Sequence, residues 1–406
     1  MFYEMKKFYK NADVLIPFLL ALLCAVCMPI LFMHSYTTCD YSTGKEIIIS
    51  GLDGIKYERH QVEKVSGILS TDKLNEALIF YKAQPKRDEA YIKMEDKYPQ
   101  FLSLLNDAYT PYGKNTFDIT KLSDVNDFYT RNVDRVEEKM DLFGNGFISA
   151  TEKEEILNKA ANISKPYNLE FVDQWTILIK SLLFVYIIIL FSALLISNRL
   201  FSFEKENNMD IILNSAGRKK LVQIGFKKNL AMISYLSLEF ILCTAITTAI
   251  VFGLAGTTGW RSQVQILPQF FTIIYNWTIG EMFINYLIIS WISILAIALI
   301  GALINSMLQE TYTSLIITSL LMISPIFLRS SPLLSAEIQK FLYIQPINGI
   351  SLLHFIDNLF IYKFGPSKVL SSCIIIFTSI IYFIIGIIFS SILFSRKINR
   401  KLQLAR

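Results

Sequence analysis

Long apolar runs alternate with polar segments along the chain on the scale of helices that cross a membrane. A bilayer core takes about 20 apolar residues per helix, and six runs approach that length, at residues 14–33, 176–197, 231–254, 282–305, 312–328 and 370–394. Between the first two lies a polar stretch in which the period changes. There Ile47-Ile48-Ile49, followed by the turn-like Gly51-Leu52-Asp53-Gly54, predicts a short hairpin. Leu74, Ala77, Leu78 and Tyr81 fall on helical spacing behind Ser70 or Thr71 as N-cap. Val125, Phe128, Tyr129, Val133, Val136 and Met140 do the same behind Ser123. The fold expected is an all-α polytopic membrane protein with six transmembrane helices. Residues 1–33 form an N-terminal interfacial helix and the first span, 34–173 a mostly helical extracytoplasmic domain with a small β element, and 174–406 the other five spans. No small-residue cleavage site follows the first run, and Tyr36-Thr37-Thr38-Cys39 lacks the small residue expected before a lipoprotein cysteine. It is therefore read as a retained helix.

Charge sharpens this division. Of the 406 residues 53% are hydrophobic and 18% charged, and residues 34–173 hold 18 Lys/Arg against 24 Asp/Glu while the remainder holds 21 against 10. Placing the N-terminus in the cytoplasm puts 15 cations in the inner short segments, among them Lys6, Lys7, Lys10, Arg199, Lys205, Arg218, Lys219, Lys220, Lys227 and Lys228. The outer short segments carry five: Arg261, Arg329, Lys340, Lys363 and Lys368. The positive-inside rule then expects both termini in the cytoplasm and residues 34–173 outside the cell, in a multi-pass protein of the plasma membrane. It also accounts for the basic balance without nucleic acid, because the cations sit at span ends with no interleaved base-stacking aromatics.

The residues point away from catalysis. Three histidines and five cysteines offer no HExxH or Cys/His ligand spacing, and no GxxxxGK[ST] phosphate loop occurs. Neither ATP hydrolysis nor catalytic zinc is expected of this chain, and cysteines in or beside apolar runs speak against a disulfide framework. Two places carry candidate chemistry. Glu239 interrupts the third run, where an ionisable group usually faces the bundle interior, and is a candidate for the transport path or the dimer seam, the other reading being a protonated or hydrogen-bonded packing residue. Residues 141–152 resemble an EF-hand loop, with Asp141, Asn145, Gly146, the Phe147 carbonyl, Ser149 and Glu152 at positions 1, 5, 6, 7, 9 and 12 and Phe143 in place of the position-3 oxygen. Calcium is one reading. The other is a Gly-Asn-Gly turn followed by a capping box, with Ser149 and Glu152 bonding reciprocally. Lys180 is expected to snorkel to the interface, and Gly253, Gly256, Gly259, Ala298 and Ala302 to permit close helix approach.

The strongest functional signal lies between the second and third runs. Around residues 202–218, Met209, Ile212, Leu213 and Ala216 form one apolar face behind Ser202 as N-cap. Glu204, Glu206 and Asp210 fall early in the segment, while Gly217 and the basic Arg218-Lys219-Lys220 close it. This is an amphipathic helix suited to lie along the membrane and be gripped by a cytoplasmic partner.

The order Phe203, Glu204, Asp210, Ile212, Leu213, Ser215-x-Gly217-Arg218, then a basic helix re-entering the membrane, resembles the loop after the second span in ABC-2 type transporter permeases. It is most similar to the low-GC Gram-positive kind with a large outer domain after span one. The six spans, the amphipathic Met1–Lys10 stretch and the proline-rich connection before the last span agree in layout. The resemblance implies that Phe203–Gly217 is a coupling helix docking on a separate ATP-binding cassette subunit that holds ATP and magnesium. Glu204 would correspond to the family's conserved glutamate and Arg218 to its terminal arginine. It also implies a second permease chain, identical or related, and segments at 333–362, bracketed by Pro332, Pro346 and Pro366, that form paired external half-helices. The activity implied is export of a hydrophobic or amphipathic substrate, a peptide antibiotic first and a lipid second. The rival class is a membrane sensor whose outer domain binds a ligand and whose loop contacts a signalling protein.

Overall fold

The computed structural model describes residues 12–404 apart from 43–45, 113, 115–116, 143–146, 208–217, 332 and 365–366. Six helices are long and apolar enough to cross a membrane: α1 (Ala12–His34), α8 (Asp173–Ser197), α10 (Arg218–Ala255), α11 (Ile279–Leu308), α12 (Thr311–Leu328) and α15 (Ser371–Leu404). Each contains one of the six apolar runs almost to the residue. The exceptions are α10, whose helix begins thirteen residues ahead of its run at Arg218, and α15, which continues into the basic tail.

α8 and α11 form the centre of the bundle, 61% and 67% of their apolar windows being buried against 28% for α1 and 22% for α12. α11 packs against α15, α8 and α12, while α1 packs against α8 and α10. Glycine permits the tightest approaches. A Cβ on Gly301 would lie 2.4 Å from Ser197 Oγ, and one on Gly386 2.6 Å from Leu299 Cβ. Of the expected approach glycines, Gly253 faces open space. Gly256 and Gly259 follow the end of α10 with φ of +92° and +80°, where an L side chain is strained, and both also lie close to neighbours: a Cβ would sit 2.5 Å from Arg59 Nη1 and 2.8 Å from Val172 Cγ1. Ala298 and Ala302 are buried in α11 as expected.

The polar segments gather at one end of the bundle. Arg59 donates to the Ala255 carbonyl (3.3 Å) at the end of α10, and Asn132 to that of Phe271 in the loop before α11. At the other end Asp13 of α1 pairs with Arg199, just past α8.

Residues 34–173 build a helical domain with small sheets. β1 (Thr37–Asp40) and β2 (Ile47–Ser50) form the hairpin, with Thr37 opposite Ser50 and Asp40 opposite Ile47. The strand Ile47–Ser50 therefore pairs backwards, and Gly51-Leu52-Asp53-Gly54 is not its turn but the first turn of α2 (Gly51–Val65). Gly54 is needed there for packing, since a Cβ would sit 2.8 Å from the Ile49 carbonyl oxygen. β3 (Gly67–Ile68) leads into α3 (Thr71–Lys82), capped by Ser70, whose hydroxyl accepts from Lys73 N at 3.3 Å. α4 (Arg87–Lys97) and α5 (Phe101–Tyr109) follow. α6 spans Phe128–Asp141, later than its spacing suggests. Ser123 is not its cap, and Val125 is buried ahead of it while the amide of Asn75 holds the Val125 N–H at 2.9 Å. α7 (Ala150–Ala161) and β4 (Asn168–Leu169), paired with β3, return the chain to α8.

After the four-residue α9 (Phe203–Glu206) and the spans α10 to α12, the connection to the last span holds α13 (Ala336–Tyr343) and α14 (Leu352–Ile356). The second expected half-helix is thus broken. Asn348 donates to the carbonyls of Leu342 (2.8 Å) and Tyr343 (3.0 Å), which draws Pro346–Gly349 into a 3₁₀ turn. A hairpin of β5 (Ile361–Phe364) and β6 (Ser367–Leu370) then enters α15.

Candidate functional site

Asp210, Ile212, Leu213 and Gly217 lie outside the described residues, and Arg218 is described only as the start of α10. The described part of the loop shows how the segment is rooted in the bundle. α9 is a single turn, and its Glu204 points inward: 5% exposed, it faces Lys228 of α10, which is 2% exposed. Lys228 Nζ donates to both Glu204 carboxylate oxygens and, at 2.8 Å, to the Leu200 carbonyl. The same ammonium lies 5.7 Å from the Phe201 ring centroid and 5.6 Å from that of Phe394 on α15. A charge pair this deep is held by geometry, because the desolvation of each ion is offset only while the other stays in place.

Beside the pair lies an asparagine network. Asn305, near the end of α11, accepts through Oδ1 from the N–H groups of Phe201 (2.7 Å) and Ser202 (3.1 Å) and donates to the Asn198 carbonyl and Ser314 Oγ. Asn198 closes the other side, its Oδ1 accepting from Thr318 at 2.9 Å and its amide donating to the Leu194 carbonyl at 2.8 Å. Ser202 makes no cap bond; its hydroxyl shares a hydrogen bond with Thr311 (2.6 Å), and Thr311 also meets Glu206. Phe203 is half-buried under the Arg199 guanidinium. The loop leaving α8 is thereby tied to α10, α11, α12 and α15. Polar residues at the ends of apolar runs were the available signal for Asn198, Asn305 and Lys228, and sequence reading alone did not pick out this role.

Glu239 is fully buried where α10 packs on α8. Ser192 donates to its Oε2 at 3.0 Å, and Oε1 has no partner among the described residues. It therefore sits in a helix seam within the chain.

In the polar domain, the 141–152 stretch shows the capping box. Ser149 Oγ accepts from Glu152 N (3.4 Å) and Glu152 Oε2 from Ser149 N (2.8 Å), which holds the Glu152 carboxyl below the usual range together with nearby Lys340. Asp141 is engaged by Lys153 (3.0 Å), and the Phe147 ring packs on Phe360. Asn145 and Gly146 lie outside the described residues. The described donors do not fit calcium, since each carboxylate already faces an ammonium and Ser149 Oγ faces an N–H. Among the described residues no group of three or more His, Cys, Asp or Glu side chains gathers as a metal site.

Two cavities flank Tyr36 where the polar domain meets the long apolar helices. One, about 270 Å³, is lined by Tyr36, Tyr41, Tyr57, Tyr91, Glu58 and Glu95. Burial, then the charge of Glu58, pushes the Glu95 carboxyl up to about 7. The other, about 450 Å³, lies between Phe32, Ile177, Phe270 and Leu353, with Lys180 and Asp173 on its wall.

Together these features define a predominantly helical, polytopic protein with a polar domain at one end of its bundle and a rooted loop at the other. Compared with protein-family models, with curated proteins and with solved structures, the chain matches none of them.

Proposed function

We propose that the chain is the membrane-spanning subunit of an ATP-driven exporter of the ABC-2 permease type, with residues 34–173 outside the cell and both termini in the cytoplasm. In this reading the loop at residues 202–218 docks on a separate ATP-binding subunit, and two permease chains enclose the path of a hydrophobic or amphipathic substrate. The observation that carries it is the rooting of the loop. Glu204 and Lys228, with Asn198 and Asn305, join the base of the loop to α10, α11, α12 and α15. A displacement imposed on the loop is conveyed to those helices through a packed polar network, as a two-state transporter requires. Glu204 acts here as a positioning residue, and the surface offered to the partner falls to the residues that follow it.

The sensor reading draws on the tyrosine-lined cavity of about 270 Å³ in the outer domain. One experiment separates the two. The solubilised native chain is purified from its host beside an Arg218→Glu variant, copurifying proteins are identified and ATPase activity is measured. Recovery of an ATP-binding subunit with the native chain and its loss from the variant supports export. Absence of such a subunit from the native sample, at gentle detergent, overturns it.

A further inference from the structure

The cavity of about 270 Å³ beside Tyr36 has a one-sided chemistry. Its wall, drawn mainly from β1, α2 and α4, carries four tyrosines and the carboxylates of Glu58, Glu95 and Asp96. Among the described residues no Lys, Arg or His lines it. Most of its hydroxyl protons are already spent. Tyr36 donates to Asp173 (2.7 Å), Tyr57 to Asp40 (2.7 Å) and Thr38 to Glu58 Oε2 (2.6 Å). The rings of Tyr41 and Tyr91 meet edge to face, their centroids 5.9 Å apart.

The wall is therefore rich in acceptors and poor in donors. Glu95 accepts from the Gln100 backbone N–H, and neither Glu58, Glu95 nor Asp96 forms an ion pair among the described residues. The other charged groups nearby are engaged. Asp40 and Asp173 take the two tyrosine hydroxyls, Glu46 takes the Cys39 thiol (3.1 Å), and Lys64 donates to the Gln61 side-chain oxygen (2.6 Å). Burial without a counter-ion disfavours a carboxylate's charged form. It raises Glu58, and burial followed by the Glu58 charge raises Glu95 to about 7.

A cation in the cavity would relieve both groups. A metal ion is a poor match, because the described carboxylates do not gather as a metal site. Acidic groups spread round a cavity with tyrosine rings on the same wall suit a polyatomic cation, which aromatic faces also attract. The volume is just under the roughly 300–1,000 Å³ of a whole-ligand pocket, room for an ammonium group on a short alkyl chain.

We propose that this cavity binds the ammonium group of a small organic amine, held by Glu58 and Glu95 and bordered by the rings of Tyr41 and Tyr91. Its N–H groups meet the open carboxylate oxygens. The site rests on neither the export nor the sensor reading, since its occupancy is measured without transport or signalling.

The test uses the full chain in nanodiscs of phosphatidylcholine, with n-butylammonium as the probe and neutral n-butanol as the control. Binding is followed by saturation-transfer NMR at constant ionic strength against empty discs. Saturable binding of n-butylammonium, and none of n-butanol, is expected above pH 7, and the affinity should fall below it as a proton on Glu95 displaces the cation. Glu58→Gln should weaken binding at least about tenfold, and Tyr91→Leu about fivefold. Glu95→Gln removes a buried charge, so it serves if Glu58→Gln does not fold; it should weaken binding and flatten its dependence on pH. No saturable binding to the native chain, equal binding of n-butanol, or native affinity in both Glu→Gln variants overturns the proposal.

Discussion

Lys228 and Glu204 meet in the interior across 24 residues of chain, each almost closed to solvent, and join the first turn after α8 to the first third of α10. Removing one partner leaves the other charged and buried, which costs about 3–5 kcal/mol, whereas replacing both with apolar groups of similar volume is often near neutral. Glu204→Gln and Lys228→Met are each expected to lower the melting temperature of the detergent-solubilised chain. The double variant should recover most of the loss. Equal melting of native and single variants would show that the pair is not closed in solution.

Asn305 is the second root of the loop. Asn305→Leu strands the N–H groups of Phe201 and Ser202, while the Asn198 carbonyl keeps its bond from Ser314 Oγ (3.2 Å). At about 1–3 kcal/mol per stranded group, the variant should destabilise more than an apolar substitution elsewhere on α11. Hydrogen exchange should localise the loss to the α8–α9 junction. A loss confined to residues 34–173 would contradict this role.

Glu95 and Asp107 should make the stability of the domain at residues 34–173 depend on pH. Burial raises Glu95 from 4.5 to about 7 and Asp107 from 3.8 to about 6. The folded state therefore binds these protons more tightly than the unfolded state, and the associated stability is complete below the unfolded values and is lost as pH rises through 6 to 7. His354, held near 4, works in the opposite sense between that value and 6.5. The clean measurement is consequently a difference. Glu95→Gln should match the native chain near pH 4 and exceed its stability above pH 7, by at most about 3 kcal/mol at about 1.4 kcal/mol per unit. A difference independent of pH would remove Glu95 as the cause.

Ser149 and Glu152 close a capping box at the start of α7, and Glu152 also reaches Lys340 at 3.4 Å. Ser149→Ala is expected to cost about 1 kcal/mol, and Glu152→Ala more, because Lys340 loses its partner. Millimolar calcium should leave the melting curve unchanged. A calcium-dependent rise abolished by Glu152→Ala would restore the EF-hand reading.

What was legible in the sequence rested on period and charge. Six apolar runs located six helices, since a continuous apolar stretch of about 20 residues has no other way to satisfy its backbone in lipid. Ser70 announced the cap of α3, and Ser149 with Glu152 its own reciprocal cap, because capping is local chemistry within four residues. Where packing over distance decides, local reading failed. Gly54 looked like a turn but is a helix position forced small by the Ile49 carbonyl, and Ser123 looked like a cap while α6 starts five residues later. The half-helix expected after Pro346 was broken by the Asn348 side chain turning back on Leu342 and Tyr343. The loop at 202–218 was marked by its amphipathic pattern. That Glu204 turns inward to Lys228, that Asn305 receives the N–H groups of Phe201 and Ser202, and that Glu58 and Glu95 share a cavity could be decided only by the tertiary structure. Each joins residues from separate segments of the chain, and hydrogen bonds between them carry no local period to read.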